Sequence, residues 1–291
     1  MELYDKDIAI LKKFREDYYR IVLFNTLPKL KKDLEAEADS EKGENVGGHT
    51  GTGQNYDNTF ENIPKSKIRG KNDEKLYASL ARSRARIREI AICNNWEYFI
   101  TMTIDGAKHS RNDLSAFRKK LSKWLNNYNT KMQSNVKYLL IPETHKDGIN
   151  WHLHGLLMGL PESHLREFTL DEKLPHYMRK LLKQGRKLYD WSAYSTAFGW
   201  VSAEKIQSSE GVAHYITKYI TKNLGSQIEL NQHVYFCSKG LKRAEVICRG
   251  KLAHDLGADY VNEHLKIKTF RGSLGDALGY FGSEVGEVDC E

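Results

Sequence analysis

Apolar and polar positions along the chain change period several times. Ile8, Ile10, Leu11, Phe14, Tyr18, Ile21 and Val22 recur near helical spacing until Pro28, so residues 1–34 are expected to form a helical segment. Residues 36–70 lose the pattern. They are acidic, then rich in Gly, Asn and Thr, and read as a flexible linker. A helix is expected over 73–93, with Leu76, Leu80, Ile87 and Ile90 on one side and Arg82, Arg84, Arg86 and Arg88 flanking it. Tyr98 to Ile104 is aromatic and β-branched, hence a strand. Leu114, Phe117, Leu121, Trp124, Leu125 and Tyr128 give an amphipathic helix over 113–128. Val136 to Pro142 is the next strand, and Lys146-Asp147-Gly148 turns the chain into a strand beginning near Trp151. Residues 161–187 are charged and expected to be a helical insertion. A strand within 196–206, a helix at about 209–223 and a short strand at Val234–Cys237 follow, and the tail from 265 is Gly-rich and poorly patterned.

The order β-α-β-β-(α)-β-α-β places the chain in the α+β class, with an antiparallel sheet covered by helices on one side. The expected organisation is an N-terminal helical segment at 1–35, a linker at 36–72, a central domain at 73–240 and a C-terminal extension at 241–291.

Two segments carry the chemistry. Trp151-His152-Leu153-His154-Gly155 puts two imidazoles on one face of a strand, because side chains alternate with period 2. The flanking Leu153, Leu156, Leu157 and Met158 make this a buried strand, where His needs a partner. Glu143 ends the preceding strand, and antiparallel pairing about the turn can bring its carboxylate beside both His; His145 is a weaker candidate. Two His and one carboxylate suit Mn²⁺ or Mg²⁺, and the set would also accept Zn²⁺.

The second segment is Tyr215-Ile216-Thr217-Lys218-Tyr219-Ile220-Thr221-Lys222. Tyr215, Lys218, Tyr219 and Lys222 fall within an arc of about 100° on a helix, beside the core face of Val212, Ile216 and Ile220. Two Tyr can attack phosphorus. Forming phenolate at pH 7 from a group of pKa near ~10 costs about 4 kcal/mol. A neighbouring Lys218 or Lys222 can offset part of that and screen charge on the phosphorane. The plainer reading is a solvated stripe with Tyr at its edge.

Charge and cysteine content narrow the class. The net charge is +7 and the pI about 9.0, which suits a polyanionic partner. Arg82, Arg84, Arg86 and Arg88 are candidate phosphate contacts, with a solvated basic face as the alternative. The four Cys show no CxxC spacing, so a structural zinc site is not expected and reduced thiols in a cytoplasm are. No apolar run is long enough to span a bilayer, no signal-peptide layout appears, and no GxxxxGK[ST] loop occurs.

Taken together, Phe99-Ile100-Thr101-Met102-Thr103, His152-Leu153-His154 and Tyr215-Ile216-Thr217-Lys218-Tyr219, in that order, resemble the HUH endonuclease superfamily in its two-tyrosine replication-initiator branch. The resemblance covers roughly 75–240 and is nearest to initiators of small phages and plasmids. It implies an RRM-like sheet, an ion held by His152, His154 and Glu143, and Tyr215 and Tyr219 as nucleophiles. Its substrate would be single-stranded origin DNA, its product a 5′-phosphotyrosine with a free 3′-hydroxyl that primes rolling-circle synthesis. No helicase motif follows, so a host helicase and polymerase are expected partners, in the cytoplasm of a bacterial host. A transposase or relaxase would use the same chemistry. A non-catalytic RRM-like nucleic-acid-binding protein is the reading from a different class.

Overall fold

The computed structural model describes residues 9–16, 18–24, 71–145, 147–207, 211–213, 215–216, 234–250, 252–254, 260–262 and 267–281. The chain divides into two compact units, one made of residues 1–58 and 243–291, the other of residues 59–242.

The larger unit is α+β with an antiparallel sheet. Its first helix, α1 (Lys71–Cys93), buries Leu80, Ile87 and Ile90. Strand β3 (Tyr98–Thr103) follows, then α2 (Leu114–Met132). Asp113 caps α2 by accepting the Ala116 N–H at 2.8 Å, and Gln133 ends it in the left-handed region. β4 (Lys137–Thr144) and β5 (Trp151–Met158) form a hairpin. Its turn is held by Asp147, whose carboxylate accepts the N–H groups of Ile149 and Asn150, while Gly148 supplies a φ of 70°. After β6 (Leu165–Glu167), α3 (His176–Lys183), β7 (Leu188–Trp191), α4 (Ser192–Ala197), β8 (Val201–Lys205) and β9 (Phe236–Cys237), the sheet order is β6-β7-β8-β3-β5-β4-β9.

Period-2 alternation divides this sheet into two faces. Tyr98, Ile100 and Met102 of β3, Leu140 of β4 and Leu153 and Leu157 of β5 share a core with Phe117, Leu121, Leu125 and Tyr128 of α2 and Tyr194 of α4. The intervening residues Leu139, Ile141 and Leu156 point to the other face and are also fully buried. Gly155 allows the hairpin to close. A Cβ there would lie 2.3 Å from the Leu139 carbonyl oxygen and 2.5 Å from Leu140 Cδ2.

Three expectations for local structure are corrected. The segment 1–34 was expected to be helical, yet β1 (Ala9–Arg15) and β2 (Tyr18–Phe24) form an antiparallel hairpin. The apparent helical spacing arises because two period-2 strands are read across one turn. Leu11 pairs with Ile21, and both are buried. The insertion 161–187 holds only one eight-residue helix, α3, together with β6 and a single 3₁₀ turn at Glu162–His164. The tail is patterned after all. It contains β12 (Ile267–Gly272) and α5 (Leu274–Gly279), which starts with a reciprocal Ser273–Asp276 capping box. The expected linker at 36–72 lies almost wholly outside the described residues; only Lys71 and Asn72 are seen, in α1.

The smaller unit is a five-stranded antiparallel sheet ordered β10-β1-β2-β12-β11, where β10 is Glu245–Gly250 and β11 is Tyr260–Asn262. Ala9, Leu11, Tyr19 and Ile21 share its core with Cys248, Leu252, Ala277 and Phe281, so the two ends of the chain build one sheet.

Candidate metal centre

The β4–β5 register puts Glu143 directly opposite His152 and Ile141 opposite His154. On the other side β3 puts Thr103 opposite His152 and Thr101 opposite His154. Glu143, His152 and His154 therefore emerge on one sheet face, the face opposite α2. Their inward atoms form a small triangle. His154 Nε2 lies 2.9 Å and His152 Nε2 3.1 Å from Glu143 Oε2, and the two Nε2 atoms are 2.9 Å apart. Each side chain keeps only 12–16 % of its surface.

This triangle fits a divalent ion. Neighbouring ligands of an octahedral ion with bonds of about 2.1 Å lie about 3.0 Å apart. A tetrahedral ion with similar bonds spreads its ligands to about 3.3 Å. One carboxylate and two imidazoles on the same side also leave positions for other oxygens. Among the described residues these three are the one group of His, Cys, Asp and Glu that could hold a metal ion.

Protonation favours the same use. Burial pushes the Glu143 carboxyl up, but hydrogen bonds from His152 and His154 outweigh it and hold the group at about 2. Burial lowers the His154 pKa, and the opposing pull of Glu143 does not restore it. A carboxylate beside a neutral imidazole is the ligand-competent state. Thr101 Oγ1 lies 3.1 Å from His154 Nδ1. The hydroxyl can donate to that nitrogen or accept from it, so it supports His154 whether Nε2 carries a proton or a metal.

His145, the weaker ligand candidate, stands outside the triangle. Its ring packs 4.5 Å from that of His152, and its Nε2 faces Arg111 Nη2 at 3.4 Å. Burial, then the neighbouring His152 and Arg111, lower its pKa.

The tyrosine segment is only partly described. Residues 211–213 and 215–216 are helical, with Val212, Ala213 and Ile216 buried and Tyr215 exposed. Lys218, Tyr219 and Lys222 lie outside the described residues. Phe99 connects Tyr215 to the triangle. Its ring meets the Tyr215 ring edge-on at 5.2 Å and stacks near His154 at 6.1 Å. Sequence reasoning placed Phe99 and Thr101 in a first-strand motif without roles. The signal available was their alternation, which puts both on the face of the His residues.

The four arginines of α1 do not form one surface. Steps of two residues rotate by about 200° on a helix. Arg84 falls between Leu80 and Ile87 on the core stripe and is buried. That corrects its expected phosphate contact, since the side chain is withdrawn from solvent. Arg82 and Arg86 are exposed, Arg88 is half-buried, and Arg86 pairs with Glu89 at 3.4 Å.

An antiparallel-sheet domain with a His-x-His strand, a facing Glu and a tyrosine on the same side defines a class of metal-binding α+β protein. Within it, residues 97–224 match a family of replication-associated proteins, the ORF2 family. The matched stretch runs from β3 through the metal strand to the tyrosine segment, and is consistent with a rolling-circle replication initiator. No curated protein and no solved structure gives a significant match. Among the described residues no helix is long and apolar enough to cross a membrane.

Proposed function

We propose that this chain initiates rolling-circle replication by nicking and transferring single-stranded DNA through a 5′-phosphotyrosine intermediate. The observation that carries the reading is the Glu143–His152–His154 triangle with Tyr215 linked to it through Phe99. The family similarity over 97–224 supports it.

A Mn²⁺ or Mg²⁺ ion held by Glu143, His152 and His154 would polarise the scissile phosphate. Tyr215 attacks phosphorus through its phenolic oxygen and gives up its proton. The bond to the 3′-oxygen breaks, that oxygen leaves as a free hydroxyl, and the 5′ end stays on the protein. Lys218 and Lys222 stabilise the phenolate and the charge gathering on phosphorus. Initiation and termination each need one transesterification, so Tyr215 and Tyr219 alternate as nucleophiles. Arg82 and Arg86 contact backbone phosphates. A host helicase and polymerase supply unwinding and synthesis, in the bacterial cytoplasm.

The test is incubation with the single-stranded DNA of its own replicon in Mn²⁺, reading covalent adducts on a denaturing gel. His152→Ala and His154→Ala should remove the adduct and leave DNA binding. Each single Tyr→Phe variant should still form it, and the double variant should not. A protein that binds but never forms an adduct is a non-catalytic binding module. A Tyr219→Phe variant that cycles like wild type, beside a dead Tyr215→Phe, leaves a one-tyrosine enzyme.

A further inference from the structure

Among the described residues, Arg111 stands beside the ligand triangle with no carboxylate paired to it. Its Nη2 faces His145 Nε2 at 3.4 Å, and His145 packs on His152. Its Nε is buried and makes no hydrogen bond among the described residues. Other basic side chains of this unit are paired with acids. Arg166 meets Glu172, Arg186 meets Glu204, and Lys205 meets Glu162. Arg111 has no such ion pair among the described residues. The backbone holds it in place, because its carbonyl accepts the Trp151 N–H at 2.9 Å, one residue before His152. A half-buried guanidinium with an unmet donor is costly unless an anion completes it. Its planar fork matches phosphate oxygens.

We propose that Arg111 is a phosphate-binding residue of the DNA site, holding a backbone phosphate of the single strand beside Glu143, His152 and His154. The inference rests on the proposed function for its ligand. Charge balance supports it. Glu143 offsets one unit of a divalent ion, leaving one positive charge for a phosphodiester that already carries one negative charge. The phosphate gains further negative charge as the phenolate attacks, and Arg111 supplies the second positive charge.

The experiment uses the full chain, a dT homopolymer and a metal-free EDTA buffer. Binding is titrated across salt for wild type, Arg111→Gln and Arg111→Lys, and Mn²⁺ affinity is measured separately by electron paramagnetic resonance. With a phosphate contact, the Gln variant's log–log salt slope is shallower by roughly 0.7. A fourfold rise in salt then weakens its binding about 2.5-fold less than it weakens wild type. The Lys variant keeps the slope and binds more weakly, and Mn²⁺ affinity stays unchanged in both. An unchanged slope in the Gln variant overturns the proposal, and an accompanying loss of Mn²⁺ affinity would make Arg111 a support for His145 and His152 instead. Should the Gln variant lose its thermal transition, the Lys variant decides: weaker binding with a kept slope supports the contact, and wild-type binding overturns it. The slope is read without metal or cleavage. A wild type that binds DNA yet forms no adduct therefore sinks the proposed function and leaves the Arg111 contact standing.

Discussion

At the scale of single residues, the metal centre is a balance between burial and hydrogen bonding. Glu143 is held at about 2, below its ordinary value of 4.5. A depressed carboxylate contributes stability that is fully present above the unfolded pKa and is lost as pH falls through the folded one. In EDTA, Glu143→Gln should therefore melt lower than wild type at pH 7. The gap should close as pH drops from about 4.5 towards 2, as read by thermal melts across that range. A gap independent of pH would mean that the ionised carboxylate contributes nothing to the fold. Thr101 acts one step further out. Thr101→Val keeps the shape and removes the hydroxyl facing His154 Nδ1. Mn²⁺ affinity measured by calorimetry should fall at least about 10-fold with the melting curve little changed.

At the scale of elements, the β4–β5 hairpin does most of the positioning. Its register sets Glu143 against His152, and a one-residue slip would turn both His side chains to the opposite face. Gly155 maintains that register because nothing larger fits between Leu139 and Leu140. Gly155→Ala should cost about 1–3 kcal/mol in urea denaturation. It should also weaken Mn²⁺ binding, although residue 155 points away from the ligands. Stability lost with metal affinity intact would show that the strands absorb the methyl group elsewhere. Helix α1 carries the opposite lesson. Its basic residues looked like one surface in sequence, but helical rotation sends Arg84 to the core and Arg82 to solvent.

At the scale of the whole molecule, the division into units sets what can be removed. The sheet of the smaller unit needs both ends of the chain, since β1 pairs with β10 and β2 with β12. Deleting residues 243–291 leaves β1 and β2 as a two-stranded hairpin, which is marginal in water. Hydrogen exchange should then show residues 9–24 unprotected, while β3, β4, β5 and α2 keep their protection and the Mn²⁺ site survives. Loss of protection in β3 to β5 as well would mean that the units fold as one.

The sequence by itself determined the parts governed by short-range geometry. Period 2 placed His152 and His154 on one face, and the Asp147-Gly148 turn brought Glu143 to them across nine residues. The 3.6 period marked α1 and α2, and aromatic and β-branched content marked β3. The tertiary structure decided the rest. It paired β1 with β10 from the far end of the chain, where the sequence pattern read as a helix. It brought Thr101 and Phe99 of β3 to His154, and tied Arg111 to the start of β5. The physical reason is that local periodicity and turn chemistry act over about ten residues, whereas distant pairing closes long loops at an entropic cost that grows only slowly with length. Which distant strands pair is then settled by mutual burial and backbone hydrogen bonding, and neither is written in the pattern of one strand alone.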